Sequence, residues 1–329
     1  MTKADVKKDA LRKFHEAMRL QGKSWKTIKS YKNCVAKYID FIADSHFANR
    51  EERIGKFLTK LVMKDNVSAS TQGINLNAII RFYDLVRHED IGKLDFMRSS
   101  KPQTIPTVLS REEAWGVLDN LHGEGWLQGA FMYGLGLRLD ETCSIRIMDI
   151  DLFRKQLHVH LGKGAKDRML EIPERLIEPL RKQIIIVTAI QKKYADRKVP
   201  VSLPGALDKK YPSAPFSLPW FWLFPASGPA VKAPWTGKLW HIHPNAVQKK
   251  IARAVKAAGI TKHATPHTLR HSYATHWLEN AEGNHEIAII RLQKLMGHAD
   301  PQTTMIYLHC VKQKTDVLSP LDVPLKMAA

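Results

Sequence analysis

The stretch "RSSKPQTIPTVLS", residues 98–110, sets the strongest limit on what this chain can fold into. It carries Pro102 and Pro106, several polar and basic residues and no apolar period, so neither a helix nor a paired strand runs through it. The chain has 329 residues, about twice an ordinary single-domain length, and this interruption divides it unevenly. Two domains are expected, residues 1–100 and 101–329, joined by a basic extended linker with the boundary near Lys101.

The two sides of the break carry different periods. Up to about residue 95 the apolar positions recur at three- and four-residue spacing, as in "SWKTIKSYKNCVAKYIDFIADS". There Ile28, Tyr31, Val35, Tyr38 and Ile39 line one helical face, Lys26, Lys29, Lys32 and Lys37 lie elsewhere, and Ser24 fits as the N-cap. A second helix is predicted over "STQGINLNAIIRFYDLV", residues 70–86. After the linker, Ser110 followed by "REEAW" opens a helix with acids in its first turn.

From Leu152 the period falls to two: Leu157, Val159 and Leu161 alternate with His158 and His160, "GKGAKD" turns the chain, and Met169 to Pro173 runs on as a second strand. This hairpin puts Lys163 and Lys166 at its tip. Helices are predicted again over 244–258, 267–281, 286–296 and 301–312, so the fold class is mainly α with a small antiparallel β-sheet. Between about 192 and 245, prolines, lysines and the aromatic residues from Phe216 to Phe224 predict an ordered, aromatic-rich insertion.

Charge narrows the function. Lys and Arg number 51 against 32 Asp and Glu, and 51 − 32 leaves +19, a surface that attracts polyanions, of which nucleic acid is the commonest large one. The longest apolar run, "IIIVTAI" at 184–190, falls far short of the roughly 20 residues that span a bilayer. The start, "MTKADVKKDALRK", lacks the apolar core of a signal peptide. Cys34, Cys143 and Cys310 are odd in number and widely separated, as reduced thiols in a cytoplasm are.

The segment "HTLRHSYATHWLEN" places His267, Arg270, His271 and Ala274 on one helical face and Tyr273 and Trp277 on another. Two histidines four apart on a helix can hold a metal, but the zinc-protease pattern needs a glutamate where Thr268 stands, and no carboxylate or thiolate ligands follow nearby. Arginine between histidines suits phosphate better: guanidinium stays charged and presents a planar fork to two oxygens.

That reading requires further cations elsewhere. "YGLGLRLDE" puts Arg138 after a Gly-rich turn, with Glu141 one helical turn on to orient a guanidinium; "GKGAKDR" supplies Lys163. "LMGHADPQTTMIYLH" supplies His298 after Gly297, Asp300 as N-cap, Pro301 at the first helical position, and Tyr307 nine residues past His298. Taken singly, Arg138 reads as a surface ion pair, His298 as a loop histidine and Tyr307 as a half-buried core aromatic. Their order is the informative part.

Arg138, Lys163, His267-x-x-Arg270, Gly297-His298 and then Tyr307 resemble the signature of the tyrosine recombinase superfamily residue for residue. Within it the chain is most like the integron integrases, through "LPGALDKKYPSAP", "WFWLFP", "WHIHPNAVQKKI" and the tail motif "VLSPLD". The resemblance implies a helical core-binding domain, 1–100, that clamps DNA, and an α+β catalytic domain, 101–329, with an integron-type insertion near 192–245 and a tail, 313–329, that docks on a neighbouring subunit.

It also implies chemistry. Arg138 and Arg270, helped by His267 and His298, neutralise a pentacoordinate phosphorane; Tyr307 attacks phosphorus to give a 3′-phosphotyrosyl link; Lys163 protonates the leaving 5′ oxygen. Glu141 and His271 support them. The link stores the phosphodiester energy, so no metal and no cofactor is expected.

The implied partners are DNA alone, a duplex integron site and a gene-cassette site folded from single-stranded DNA, bound by a homotetramer assembled from free monomers in a bacterial cytoplasm. Extrahelical bases would stack on Trp220, Phe221, Trp222, Trp240 and His241, unless those rings pack the insertion's own core. The alternative function is a Xer-like or phage-like recombinase acting on duplex sites only. Two departures from the integron pattern stand out: Trp240-His241 replaces a histidine pair, and a few residues are inserted near Glu282 to His285.

Overall fold

In the computed structural model, the described residues are 2–43, 47, 49–92, 94, 96, 105–160, 167–231, 236–281 and 284–310. Lys163 and Lys166, the residues Glu282 and Gly283, and the tail 313–329 lie outside them. The chain divides into two compact units, residues 1–104 and 105–329.

The first unit is helical: α1 (Lys3–Leu20), α2 (Trp25–Ala43), α3 (Arg50–Met63) and α4 (Ala69–Phe82), the last running into a single π-helical turn, Tyr83–Arg87. Small polar residues start each helix. Thr2 and Asp5 form a reciprocal capping box, and Ser24, Asn49 and Ser68 accept the backbone N–H groups of Thr27, Glu52 and Thr71; caps of this kind contribute about 1 kcal/mol each. Ile28, Val35 and Tyr38 of α2 are buried with Phe14, Ile54 and Phe57, while Lys26, Lys29 and Lys37 are exposed, as the spacing predicts.

The second unit begins with α5 (Arg111–Asp119), capped by a Ser110–Glu113 box, then α6 (Glu124–Gly134) and α7 (Leu139–Cys143). Strands β1 (Ile150–Asp151), β2 (Gln156–Val159) and β3 (Arg168–Glu171) form an antiparallel sheet in that order, with Leu157 opposite Leu170 and Val159 opposite Arg168. The second strand of the hairpin thus starts one residue earlier than predicted and ends at Glu171. Next come α8 (Glu174–Asp196), α9 (Leu207–Lys210), the antiparallel pair β4 (Pro225–Pro229) and β5 (Leu239–His241), and α10 (Pro244–Ala257).

Helix α11 (Pro266–Asn280) is the centre of this unit, with Leu269, Arg270, Ser272, Ala274, Thr275 and Leu278 buried around its circumference. It packs against α6 and against α12 (His285–Met296). The helix predicted over 301–312 is instead a single α turn, α13 (Gln302–Met305), followed by a 3₁₀ turn, Ile306–His309. Thr303, Thr304 and Ile306 are β-branched and stiff in a helix, and the Thr304 hydroxyl is engaged elsewhere.

The insertion builds its own small core against α8, from Val187, Val201, Phe221, Trp222 and Leu239. Phe221 and Trp222, expected as stacking platforms for bases, are 2% and 4% exposed there. They pack the insertion's core, the alternative the sequence leaves open: large rings find their burial there, and the Arg146 guanidinium already covers the Trp222 ring at 3.6 Å. Among the described residues, no helix is long and apolar enough to cross a membrane.

Candidate active site

Arg270 lies in the first half of α11, 3% exposed, and its bonds define the centre of the site. It donates through Nη1 to the Gly136 carbonyl and through Nη2 to the Met296 carbonyl at 2.6 Å and to His298 Nε2 at 3.0 Å. Gly136 has φ +63°, and a Cβ there would stand 2.4 Å from the Tyr273 ring, so the Gly-rich turn needs glycine for both conformation and space. Gly297, φ +61°, closes α12 in the left-handed conformation, and a Cβ there would stand 2.9 Å from Arg168 Nη1.

Around Arg270 the charges are unequal. Arg138 caps α7, pairs with Glu141 Oε1 at 2.8 Å and donates to the Gly297 carbonyl at 2.9 Å. Arg168 from β3 forks onto the same carboxylate at 2.7 and 3.1 Å and donates through Nε to the Leu295 carbonyl at 2.8 Å. Arg270 itself lies 3.8 Å from Glu141. Burial alone would raise the Glu141 pKa, but its bonds to Arg168 and Arg138 outweigh that and bring it down to about 2. Burial, then the charge of Arg138, lowers Arg270 to about 10, which leaves it a cation at neutral pH. Three guanidiniums thus share one carboxylate, a surplus of positive charge that an anion would match.

The histidines are neutral. Burial, then Arg270, takes His298 down to about 3. Since its Nε2 accepts from Arg270, its proton sits on Nδ1 and is donated to Thr304 Oγ1 at 2.8 Å. Burial, then neighbouring His267, takes His271 down to about 4, and its Nδ1 is hydrogen-bonded to the Tyr307 hydroxyl at 2.8 Å. Tyr307 is 2% exposed, with its ring nearly parallel to His298 at 6.2 Å. Burial raises its pKa, partly offset by Arg270, so the phenol keeps its proton.

Of the residues singled out by sequence, Arg138, Glu141, Arg270 and His298 share one network, with the His271–Tyr307 pair against it. His267 is exposed on the first turn of α11, its ring 6.3 Å from that of His271. Trp220, Trp240 and His241 are partly exposed in the insertion, Trp240 and His241 with their rings against Trp222. Arg168 was missed, although a signal existed: in a period of two it shares a face with buried Leu170, and an arginine on an inward face needs a buried partner.

The arrangement can hold a phosphate against fixed guanidiniums beside a tyrosine, which is the apparatus of covalent phosphoryl transfer through a phenol. Residues 127–314 match the phage integrase family and residues 11–93 its N-terminal SAM-like domain. The chain is 37% identical over 318 residues to an "Integrase/recombinase" of Escherichia coli, covering 95% of this chain and 93% of that protein. It is 27% identical over 302 residues to a "Tyrosine recombinase" of Thermosipho africanus, covering 88% and 90%. In fold it is similar to a lambda integrase(75-356) dimer bound to a COC′ core site, with TM-score 0.60, 14% identity and coverage of 95% and 98%. A further likeness is to XerH bound to palindromic difH substrate, with TM-score 0.58, 18% identity and coverage of 87% and 77%. The chain belongs to the phage integrase family: it is a tyrosine recombinase, an enzyme that cleaves and rejoins DNA.

Proposed function

We propose that this recombinase is an integron integrase, which inserts and excises gene cassettes between a duplex integron site and a cassette site folded from single-stranded DNA. The observation that carries the chemistry is the surplus of charge on Arg138, Arg168 and Arg270 about one carboxylate, with His298 and Tyr307 against it. Arg138 and Arg270 hold the non-bridging oxygens of the scissile phosphate, with His298 and His267 donating from either side. Fixed donors of this kind stabilise the charge that develops in the transition state without rearranging.

Tyr307 attacks phosphorus: its hydroxyl proton passes to water, its oxygen forms the new P–O bond, the 5′ oxygen leaves with a proton from Lys163, and the chain is left joined to the 3′ phosphate. A 5′ hydroxyl from the other site then attacks the phosphotyrosyl link, forming the new P–O bond, and Tyr307 leaves as the phenol. Before attack Tyr307 must leave His271, and His298 must carry a proton on Nε2 rather than Nδ1 to donate to phosphate. Glu141 keeps the arginines fixed and His271 holds the tyrosine.

The integron reading is supported by the insertion, which keeps Trp220, Trp240 and His241 partly exposed for stacking on extrahelical bases. The unit before the linker clamps DNA, the tail 313–329 docks on the next subunit of a homotetramer, and the enzyme works in the bacterial cytoplasm. The test uses a nicked suicide substrate built from a folded cassette-site strand, followed by denaturing electrophoresis. A covalent protein–DNA species that disappears in Tyr307→Phe is expected, and its persistence in that variant would sink the mechanism. Equal trapping on a duplex-only substrate would favour a Xer-like or phage-like recombinase instead.

A further inference from the structure

The β2–β3 hairpin carries a second polar cluster that phosphoryl transfer does not use. His158 on β2 and His160, the residue just after that strand, stand two positions apart on the same side of the chain, with ring centroids 3.8 Å apart. Asp167 immediately precedes β3, and its Oδ2 lies 3.0 Å from His158 Nε2 and 3.3 Å from His160 Nδ1. Donor atoms from these three side chains all lie within 4.8 Å of one another. Tetrahedral zinc, with ligands at about 2.0–2.1 Å, sets its donors about 3.3 Å apart, so the two distances from Asp167 to the imidazoles already match edges of such a tetrahedron.

Asp149 makes the separate observation. Its side chain is 6% exposed, and its Oδ2 accepts the Arg146 backbone N–H at 2.7 Å. Its Oδ1 has no aligned hydrogen-bond donor among the described residues and lies 3.0 Å from His160 Nε2. Imidazoles that ligate metals commonly give their other N–H to a carboxylate, which fixes the tautomer and the ring. Two histidines sharing a surface carboxylate do not account for a buried oxygen waiting on the far side of one of them.

We propose that His158 Nε2, His160 Nδ1 and Asp167 Oδ2 bind one zinc ion, with Asp149 positioning His160 and water in the fourth place. Two imidazoles and one carboxylate favour zinc over magnesium or calcium, which take shells of oxygen. The ion ties β2 to β3 across the ends of the segment 161–166, in a sheet whose strands are only two to four residues long. It takes no part in cleavage.

The test uses the full chain, stripped with chelator and titrated with zinc against a chromogenic competitor, with bound metal counted by elemental analysis. One ion per chain is expected, with affinity lowered at least about tenfold by His158→Ala with Asp167→Ala, and by about 10–100-fold in Asp149→Asn. Because the chain holds 15 histidines, zinc binding as tight and as abundant in the double variant would overturn the proposal, as would a wild type that binds none. X-ray absorption of the wild-type zinc complex needs no variant. A shell of two imidazoles with oxygens is expected, and thiolate sulfur or an all-oxygen shell refutes the site.

Discussion

Arg146 and Arg270 are both buried in the second unit, 7% and 3% exposed, and burial lowers both to about 10. Both spend their donors on backbone carbonyls, Arg146 on those of Trp220 and Ser202, Arg270 on those of Gly136 and Met296. Beyond that they differ. Arg146 is roofed by Trp222, and the charge that acts on it is that of Asp149. Arg270 sits with Arg138 and Arg168 about a single carboxylate. A buried guanidinium is a packing device where its charge is matched and a binding device where it is not.

The largest effect is expected from removing the cradle's counter-charge. Glu141→Gln should lower stability by about 3–5 kcal/mol, because three arginines lose the group that compensates them. Asp149→Asn keeps the oxygen that accepts the Arg146 N–H but takes the nearby charge from one guanidinium rather than three, and should cost less, about 1–3 kcal/mol. Urea denaturation at pH 7 measures both, and equal losses would break the comparison.

Next in size, Arg270→Lys should cut the rate of covalent complex formation by about 100-fold or more, since an ammonium cannot replace the fork that meets two carbonyls and His298. Arg146→Lys should lower the melting temperature and leave that rate nearly unchanged. Single-turnover cleavage of the suicide substrate separates the two.

The smallest effect is on pH dependence. His271 and His298 are held at about 4 and about 3, below the roughly 6.5 of an unfolded chain. The unfolded chain therefore binds protons that the folded one refuses. The stability these groups contribute is complete above about pH 6.5 and is lost as pH falls from there through about 4 to about 3. Melting temperature should drop across that window, and His271→Asn should flatten the slope; an unchanged slope removes the histidine from the account.

Much of the site was legible because its chemistry is tied to spacing. Arg270 and His271 stand three and four residues after His267 on α11, and Glu141 on α7 is three residues past Arg138, its N-cap. Ser24 and Ser110 announced the starts of α2 and α5 for the same local reason, an oxygen placed to meet free N–H groups. Arg168 escaped because its partners, Glu141 and the Leu295 carbonyl, are far away in sequence. Phe221 and Trp222 escaped because an aromatic run looks the same whether its rings pack inward or wait for a base. The short helix before Tyr307 depends on a threonine bond to His298 that no local pattern encodes.

The covered state of Tyr307 bears on fidelity. A recombinase searching a chromosome meets a phosphate at every step, and each is chemically equivalent to the one it should cut. On the proposed reading, a tyrosine 2% exposed and tied to His271 cannot react at those encounters. Accidental nicking is then governed by how often the turn Ile306–His309 loosens, and hardly at all by how often the protein touches DNA. Part of the discrimination between right and wrong sites resides in the opening rate of one turn that reads no base.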